Sequence, residues 1–195
     1  MGFSVLLSAS MQAEQNPDLE NVPSNLTGMG GVTLVLGGAR SGKSRYAEAL
    51  VTAAPKPWMY LATGRAFDDE MRLRIAQHQQ ERVPGWTTCE EPIFVEKVLD
   101  EAGKSFVLLD CLTLWLTNLI LEEQDVFAAS ERLLEALRCR KGRTVLVGNE
   151  VGLGIVPDNA LSRRFRDEAG ILHQRIAAEA GRVVFVAAGL PLVLK

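Results

Sequence analysis

The chain is poor in the residues that build metal cages and covalent staples. It has three cysteines, Cys89, Cys111 and Cys139, and no Cys-x-x-Cys pair. That argues against a disulfide framework or a zinc site and fits a reducing cytoplasm. Histidine is scarce too, with only His78 and His173 available for imidazole chemistry. There is no excess of basic charge. The net charge is -3, so no global positive field draws in nucleic acid, and no nucleic-acid partner is expected. No apolar run approaches the roughly 18 residues of a membrane span. The apolar stretch at residues 3–7 is too short for a signal core and has no basic segment before it. Leu6 stands where a myristoylation signal needs Ser or Thr.

The 195 residues are enough for one domain with a well-formed core. Residues 12–31 are polar, with Pro17, Pro23 and several Asn. The expected organisation is therefore a flexible extension over residues 1–30, followed by one nucleotide-binding domain over 31–195.

The strongest signal is the stretch Gly37, Gly38, Ala39, Arg40, Ser41, Gly42, Lys43 and Ser44, directly after the apolar run Val32-Thr33-Leu34-Val35-Leu36. This is a complete phosphate-binding loop in its required context, between a strand and a helix. Glycines let the chain wrap so that successive backbone N–H groups point inward at phosphate oxygens. Lys43 puts a cation on the terminal phosphates, the Ser44 hydroxyl is a Mg²⁺ ligand, and the following helix aims its positive end at the same anion.

Strand and helix signals alternate along the rest of the chain. Strands are expected at 32–36, 58–62, 106–110, 144–149 and 183–187, with a further edge at 192–194. Helices are expected at 43–54, 68–82, 93–101 and 159–180, with Asp68 or Asp69 capping the second. Residues 112–121 form an apolar segment and 130–138 an amphipathic one. Leu161, Phe165, Leu172 and Ile176 mark the buried stripe of the last helix. The fold class that follows is α/β, resembling a P-loop NTPase, with a mostly parallel sheet wrapped by helices. Ligands in such sheets bind at the carboxyl ends of the strands.

Several residues at those ends invite chemistry. Asp110 closes the strand Val107-Leu108-Leu109-Asp110, where a phosphate-loop protein puts its Mg²⁺-organising carboxylate. A helix N-cap for the segment from Leu112 is the other reading. Asn149 and Glu150 end the next strand, and Gly152 and Gly154 follow. Glu150 suits a general base for a hydroxyl acceptor, or else a turn with a helix cap. His78 shares a helix side with Met71, Ile75 and Arg82. Flanking arginines attract polyphosphate and disfavour imidazolium, which leaves a neutral ring able to attack phosphorus. An exposed histidine without a role is the alternative. His173 reads as a partly buried, hydrogen-bonded core histidine. Arg163, Arg164 and Arg166 read as a solvated face, and Trp86 as loop packing.

Taken together, these stretches resemble one family. They are Gly-Gly-Ala-Arg-Ser-Gly-Lys-Ser-Arg-Tyr-Ala-Glu at 37–48, Leu-Ala-Thr-Gly at 61–64 and Asp-Asp-Glu-Met at 68–71. The set continues with Arg-Ile-Ala-Gln-His at 74–78 (with Arg82 and Trp86), Asp-Cys-Leu-Thr-Leu-Trp-Leu-Thr-Asn at 110–118 and Asn-Glu-Val-Gly-Leu-Gly-Ile-Val-Pro at 149–157. Over about residues 32–195 the chain resembles the bifunctional adenosylcobinamide kinases / adenosylcobinamide-phosphate guanylyltransferases of cobalamin biosynthesis. The resemblance implies two reactions: phosphorylation of adenosylcobinamide by ATP or GTP, then transfer of GMP from GTP through a guanylylated histidine to give adenosylcobinamide-GDP.

By motif position that histidine is His78. The family's nucleotide contacts fall on Gly37 through Ser44, on Ala62, Thr63 and Gly64, on Gln79, Gln80, Glu81 and Arg82, on Glu90 and on Asp110. Lys43 and Glu150 join His78 as catalytic candidates, and Ser44 and Asp110 are the Mg²⁺ candidates. Some members carry histidine where this chain has Tyr46 and asparagine where it has His173, so neither position suits the nucleophile. The resemblance also implies a homo-oligomer, a trimer. Because the kinase step is at the γ-phosphorus and the guanylyl step at the α-phosphorus, the helix at 68–82 is expected to be mobile. The rival readings are another P-loop small-molecule kinase and a nucleotide-gated regulatory NTPase. The Asn-Lys-x-Asp string that reads guanine in small GTPases is absent.

Overall fold

The computed structural model describes residues 28–65 and 82–195. The apolar runs pair into one seven-stranded sheet. Its strands are β1 (Val32–Gly37), β2 (Trp58–Ala62), β3 (Trp86–Glu90), β4 (Phe106–Asp110), β5 (Thr144–Asn149), β6 (Arg182–Ala187) and β7 (Leu190–Val193). Their spatial order is β3-β2-β4-β5-β1-β6-β7. Every pair is parallel except the β6–β7 hairpin. Parallel neighbours need crossovers. The described helices are α1 (Lys43–Thr52), α2 (Val95–Glu101), α3 (Leu112–Leu121), α4 (Val126–Cys139) and α5 (Ala160–Glu179). The fold class is the expected one.

Two cores form, one on each face of the sheet. On one face α1 lays Tyr46, Ala47 and Val51 against Val35, Tyr60, Leu108, Val145 and Val147. On the other, α2 to α5 cover Leu34, Leu61, Leu109 and Leu146. The central strands are buried on both sides, which is why they read as unbroken apolar runs rather than alternating ones. Leu34, Leu109 and Leu146 are fully buried, and truncating any one to alanine costs about 2–5 kcal/mol through lost burial and the cavity left behind.

The structure departs from the sequence expectations at several places. Trp86 is not loop packing. It starts β3, an edge strand whose Thr87, Thr88 and Glu90 are exposed. Helix α4 starts at Val126, earlier than expected, because the Asp125 carboxylate accepts the Ala128 N–H and caps it. Helix α2 starts at Val95, after Glu91 Oε1 has accepted the N–H groups of Ile93 and Phe94. Leu161 is exposed rather than part of the buried stripe of α5, which runs through Ala169, Leu172, His173 and Ile176. Residues 28–30, expected within the extension, form a 3-10 turn with Gly31. Gly28 N–H donates to the Arg140 carbonyl, and Gly181 N–H donates to Met29. Among the described residues no helix is long and apolar enough to cross a membrane.

Candidate active site

The phosphate loop leaves the carboxyl end of β1 and enters α1. Two residues take left-handed backbone angles in the turn, Arg40 at φ 56° and Gly42 at φ 92°. A Cβ on Gly42 would lie 3.1 Å from Gly189 Cα, and one on Gly37 would lie 2.5 Å from the Val186 carbonyl oxygen. The β6–β7 turn therefore presses on the loop from one side, and Gly189 N–H donates to the Ser41 carbonyl at 2.7 Å. Lys43 is buried, and its Nζ reaches across the loop to the Gly38 carbonyl at 3.2 Å. Ala39 and Arg40 are exposed at the rim, and Ser44 is half-buried in the first turn of α1.

β5 lies between the loop strand β1 and the carboxylate strand β4. Two strand spacings put Asp110 roughly 10 Å to the side of Gly37. Asp110 is half-buried, and its Oδ2 accepts the Tyr60 hydroxyl at 2.7 Å. The helix-cap reading of Asp110 fails, since Cys111 is the N-cap of α3 and makes no side-chain cap bond. Burial and then the Asp110 carboxylate push the Tyr60 phenol far above its ordinary value, so it stays a proton donor.

The turn after β2 is pinned from below. Thr63 is fully buried, and its N–H donates to the Asp110 carbonyl at 3.2 Å. Asn118 on α3 donates to the Thr63 carbonyl at 2.8 Å and to the Pro92 carbonyl at 3.1 Å. Ala62, Thr63 and Gly64 thus sit on a satisfied polar base beside Asp110. Burial pushes the neighbouring Cys111 thiol up to about 11, so it is no thiolate nucleophile near neutral pH.

Asn149 and Glu150 complete this edge. Asn149 Nδ2 donates to Thr113 Oγ1 at 2.7 Å, and Glu150 N–H donates to the Gly37 carbonyl at 3.0 Å. One Glu150 carboxylate oxygen accepts the Gly152 N–H, which is a turn contact; the helix that follows is capped by Asn159. His173 is buried as expected, and its Nε2 has no hydrogen-bond partner among the described residues. That ring fills the space left by Gly148, where a Cβ would lie 2.6 Å from Nε2. Burial lowers the imidazole below its ordinary value, against an opposing pull from Glu150. Arg163 is not simply a solvated cation, since its Nη1 holds the carbonyls of Pro157 and Asp158.

The structure thus gathers Gly37 through Ser44, Ala62 through Gly64, Asp110, Asn149 and Glu150 at one end of the sheet. Glu90 ends β3, in register with Ala62 but exposed at the sheet edge. His78, Gln79, Gln80 and Glu81, and the expected cap Asp68 or Asp69, lie outside the described residues. Arg82 is described, and its guanidinium stacks on Tyr60 at 3.2 Å from the ring centroid. Sequence reasoning missed Tyr60, Thr113 and Asn118. A tyrosine in an otherwise apolar strand and an asparagine in an apolar helix were the available signals.

Comparison with known proteins decides the family. A family model described as cobinamide kinase / cobinamide phosphate guanyltransferase matches residues 33–194. The chain belongs to this family. It is 52% identical over 167 residues to the bifunctional adenosylcobalamin biosynthesis protein CobP of Pseudomonas aeruginosa, covering 83% of this chain and 96% of that one. It is 42% identical over 179 residues to the bifunctional adenosylcobalamin biosynthesis protein CobU of Salmonella typhimurium, covering 83% and 98%. Among solved structures, the flagellar accessory protein FlaH of Methanocaldococcus jannaschii superposes with a TM-score of 0.50 at 13% identity, over 91% of this chain and 84% of that one. That likeness concerns the fold alone.

For a cobinamide kinase / guanyltransferase, the donor set at this edge is chemically apt for Mg²⁺. Ser44 supplies a hydroxyl and Asp110 a carboxylate, both hard oxygen donors, and Mg²⁺ commonly takes one or two protein oxygens with the rest from phosphates and water. Among the described residues no group of three or more His, Cys, Asp or Glu forms a cage for a metal.

Proposed function

We propose that this chain, through its one domain over residues 31–195, phosphorylates the aminopropanol hydroxyl of adenosylcobinamide with ATP or GTP. It then transfers GMP from GTP to that phosphate, giving adenosylcobinamide-GDP and pyrophosphate. The family match over residues 33–194, with a complete phosphate loop inside it, is the observation that carries this reading.

The loop N–H groups and the Lys43 ammonium bind the triphosphate. Lys43 releases the Gly38 carbonyl to do so. Bound Mg²⁺, held by Ser44 and Asp110, would neutralise phosphate charge during in-line displacement. Arg82 adds a second fixed cation beside Asp110. In the kinase step Glu150 takes the proton of the attacking hydroxyl, whose oxygen bonds to the γ-phosphorus as the nucleoside diphosphate leaves. In the guanylyl step the His78 imidazole attacks the α-phosphorus, and pyrophosphate leaves. The cobinamide phosphate oxygen then displaces the imidazole. Gln79, Gln80, Glu81 and Glu90 complete the nucleotide contacts.

The protein works as a homo-oligomer, a trimer, in the cytoplasm, on a small-molecule substrate and without nucleic acid. Incubating it with adenosylcobinamide and γ-labelled ATP or GTP should move label into a cobinamide phosphate. Unlabelled GTP should then convert that product to the GDP derivative. Failure of both conversions with folded protein contradicts the reading.

A further inference from the structure

A chain of contacts on the α1 side of the sheet joins Asp110 and Arg82 through Tyr60, a residue with no role in the reactions above. Strands β2 and β4 are in register with Tyr60 opposite Leu108 and Ala62 opposite Asp110. Tyr60 and Asp110 therefore share a face, two residues apart along neighbouring strands. The hydroxyl of Tyr60, which is only 3% exposed, donates to Asp110 Oδ2 at 2.7 Å. The Arg82 guanidinium lies 3.2 Å from the centroid of the same ring. Arg82 Nε is buried, has no hydrogen-bond partner among the described residues and sits 3.9 Å from Glu48 Oε1 on α1. Trp86 closes the ring edge-on at 5.8 Å, and Trp58 backs Trp86 at 5.8 Å.

A carboxylate is free to turn about its last torsion unless something holds it. One short, charge-assisted O–H···O⁻ bond fixes Oδ2 and so aims Oδ1. A guanidinium on a desolvated aromatic face is held by the ring quadrupole, worth up to about 2 kcal/mol. One side chain thus contacts both the carboxylate and the cation of this edge.

We propose that Tyr60 is a positioning residue for the nucleotide site: its hydroxyl sets the Asp110 carboxylate toward the metal, and its ring face sets Arg82 toward the nucleotide. This rests on the proposed function only in taking Asp110 to face a metal–nucleotide complex. The two halves of the role are separable, because the hydroxyl serves Asp110 and the ring serves Arg82. A purely structural tyrosine would show no such separation.

The test uses the full-length protein and two variants, Tyr60→Phe and Tyr60→Leu, with thermal melts checking the fold. Mn²⁺ replaces Mg²⁺, and its affinity for protein loaded with a non-hydrolysable GTP analogue is measured by electron paramagnetic resonance. Affinity for the analogue without metal is measured by calorimetry. Tyr60→Phe should weaken Mn²⁺ binding about tenfold, the scale of one charge-assisted hydrogen bond, and leave metal-free binding within about twofold. Tyr60→Leu should weaken both. Unchanged Mn²⁺ affinity in Tyr60→Phe overturns the proposal, and so does an equal loss of metal and metal-free binding in that variant. If Tyr60→Leu does not fold, the two measurements on Tyr60→Phe still decide. Neither readout needs turnover, so failure of the transferase reading is seen separately, in the label-transfer assays.

Discussion

The Thr63 hydroxyl donates to the Cys111 carbonyl and accepts the Cys111 N–H, both at 2.8 Å. One buried side chain thereby satisfies both polar groups of the residue after Asp110. It ties the turn following β2 to the end of β4.

Replacing Thr63 with valine keeps the volume and removes that double bond. The Cys111 N–H loses its partner, at about 1–3 kcal/mol if left unsatisfied, while the Cys111 carbonyl keeps the Trp115 N–H at 3.1 Å. We expect urea unfolding to show a stability loss in that range. Nucleotide affinity should fall with it, because the turn beside Asp110 loses its side-chain tie to Cys111.

Gly37 and Gly38 should respond unequally to alanine. A Cβ on Gly37 meets the Val186 carbonyl oxygen at 2.5 Å, whereas one on Gly38 meets nothing within 4 Å. Gly37→Ala must shift backbone in the sheet, and overpacking of this kind costs about 1–3 kcal/mol. That corresponds to a drop in Tm of roughly 2–12 °C for a chain this size. Gly38→Ala should melt close to the native protein. Calorimetric melts of the two variants check this.

Lys43→Ala should abolish both transfers while leaving the sheet intact. Lys43 is the buried cation of the loop, and removing a fixed charge that stabilises the transition state costs about 100-fold or more in rate. Initial rates of cobinamide phosphorylation and of GMP transfer should both fall. Loss of only one would mean that the two reactions do not share the loop.

His173 gives the fold an acid sensitivity. Its folded value is lowered from an ordinary 6.5 by burial. Below that ordinary value the unfolded chain binds a proton that the folded chain refuses, so stability falls as pH drops, until the folded imidazole itself titrates. Above it both states are neutral, and the term vanishes. His173→Asn should flatten the decline between neutral and acid pH, as read by denaturant midpoints across that window.

What could be read from the chain follows physical lines. The phosphate loop was legible because its geometry demands glycine and lysine at fixed spacing, and the central strands because burial on both faces leaves them unbroken runs of apolar residues. β3 was not, since an exposed edge strand keeps Thr87, Thr88 and Glu90 polar and mimics a loop. The bond from Tyr60 to Asp110 depends on strand register between residues 50 apart, which no local pattern encodes. Asn118 hid inside an apolar helix, yet it is 1% exposed and braces the Thr63 turn. His78 was singled out by family motif rather than by chemistry alone, and it lies outside the described residues.

The most direct measurement is covalent labelling with α-labelled GTP. The native protein should take up acid-labile label, and His78→Ala should take up none while still phosphorylating adenosylcobinamide. Label persisting on His78→Ala, or absent from the native protein under turnover conditions, would contradict guanylyl transfer through this imidazole.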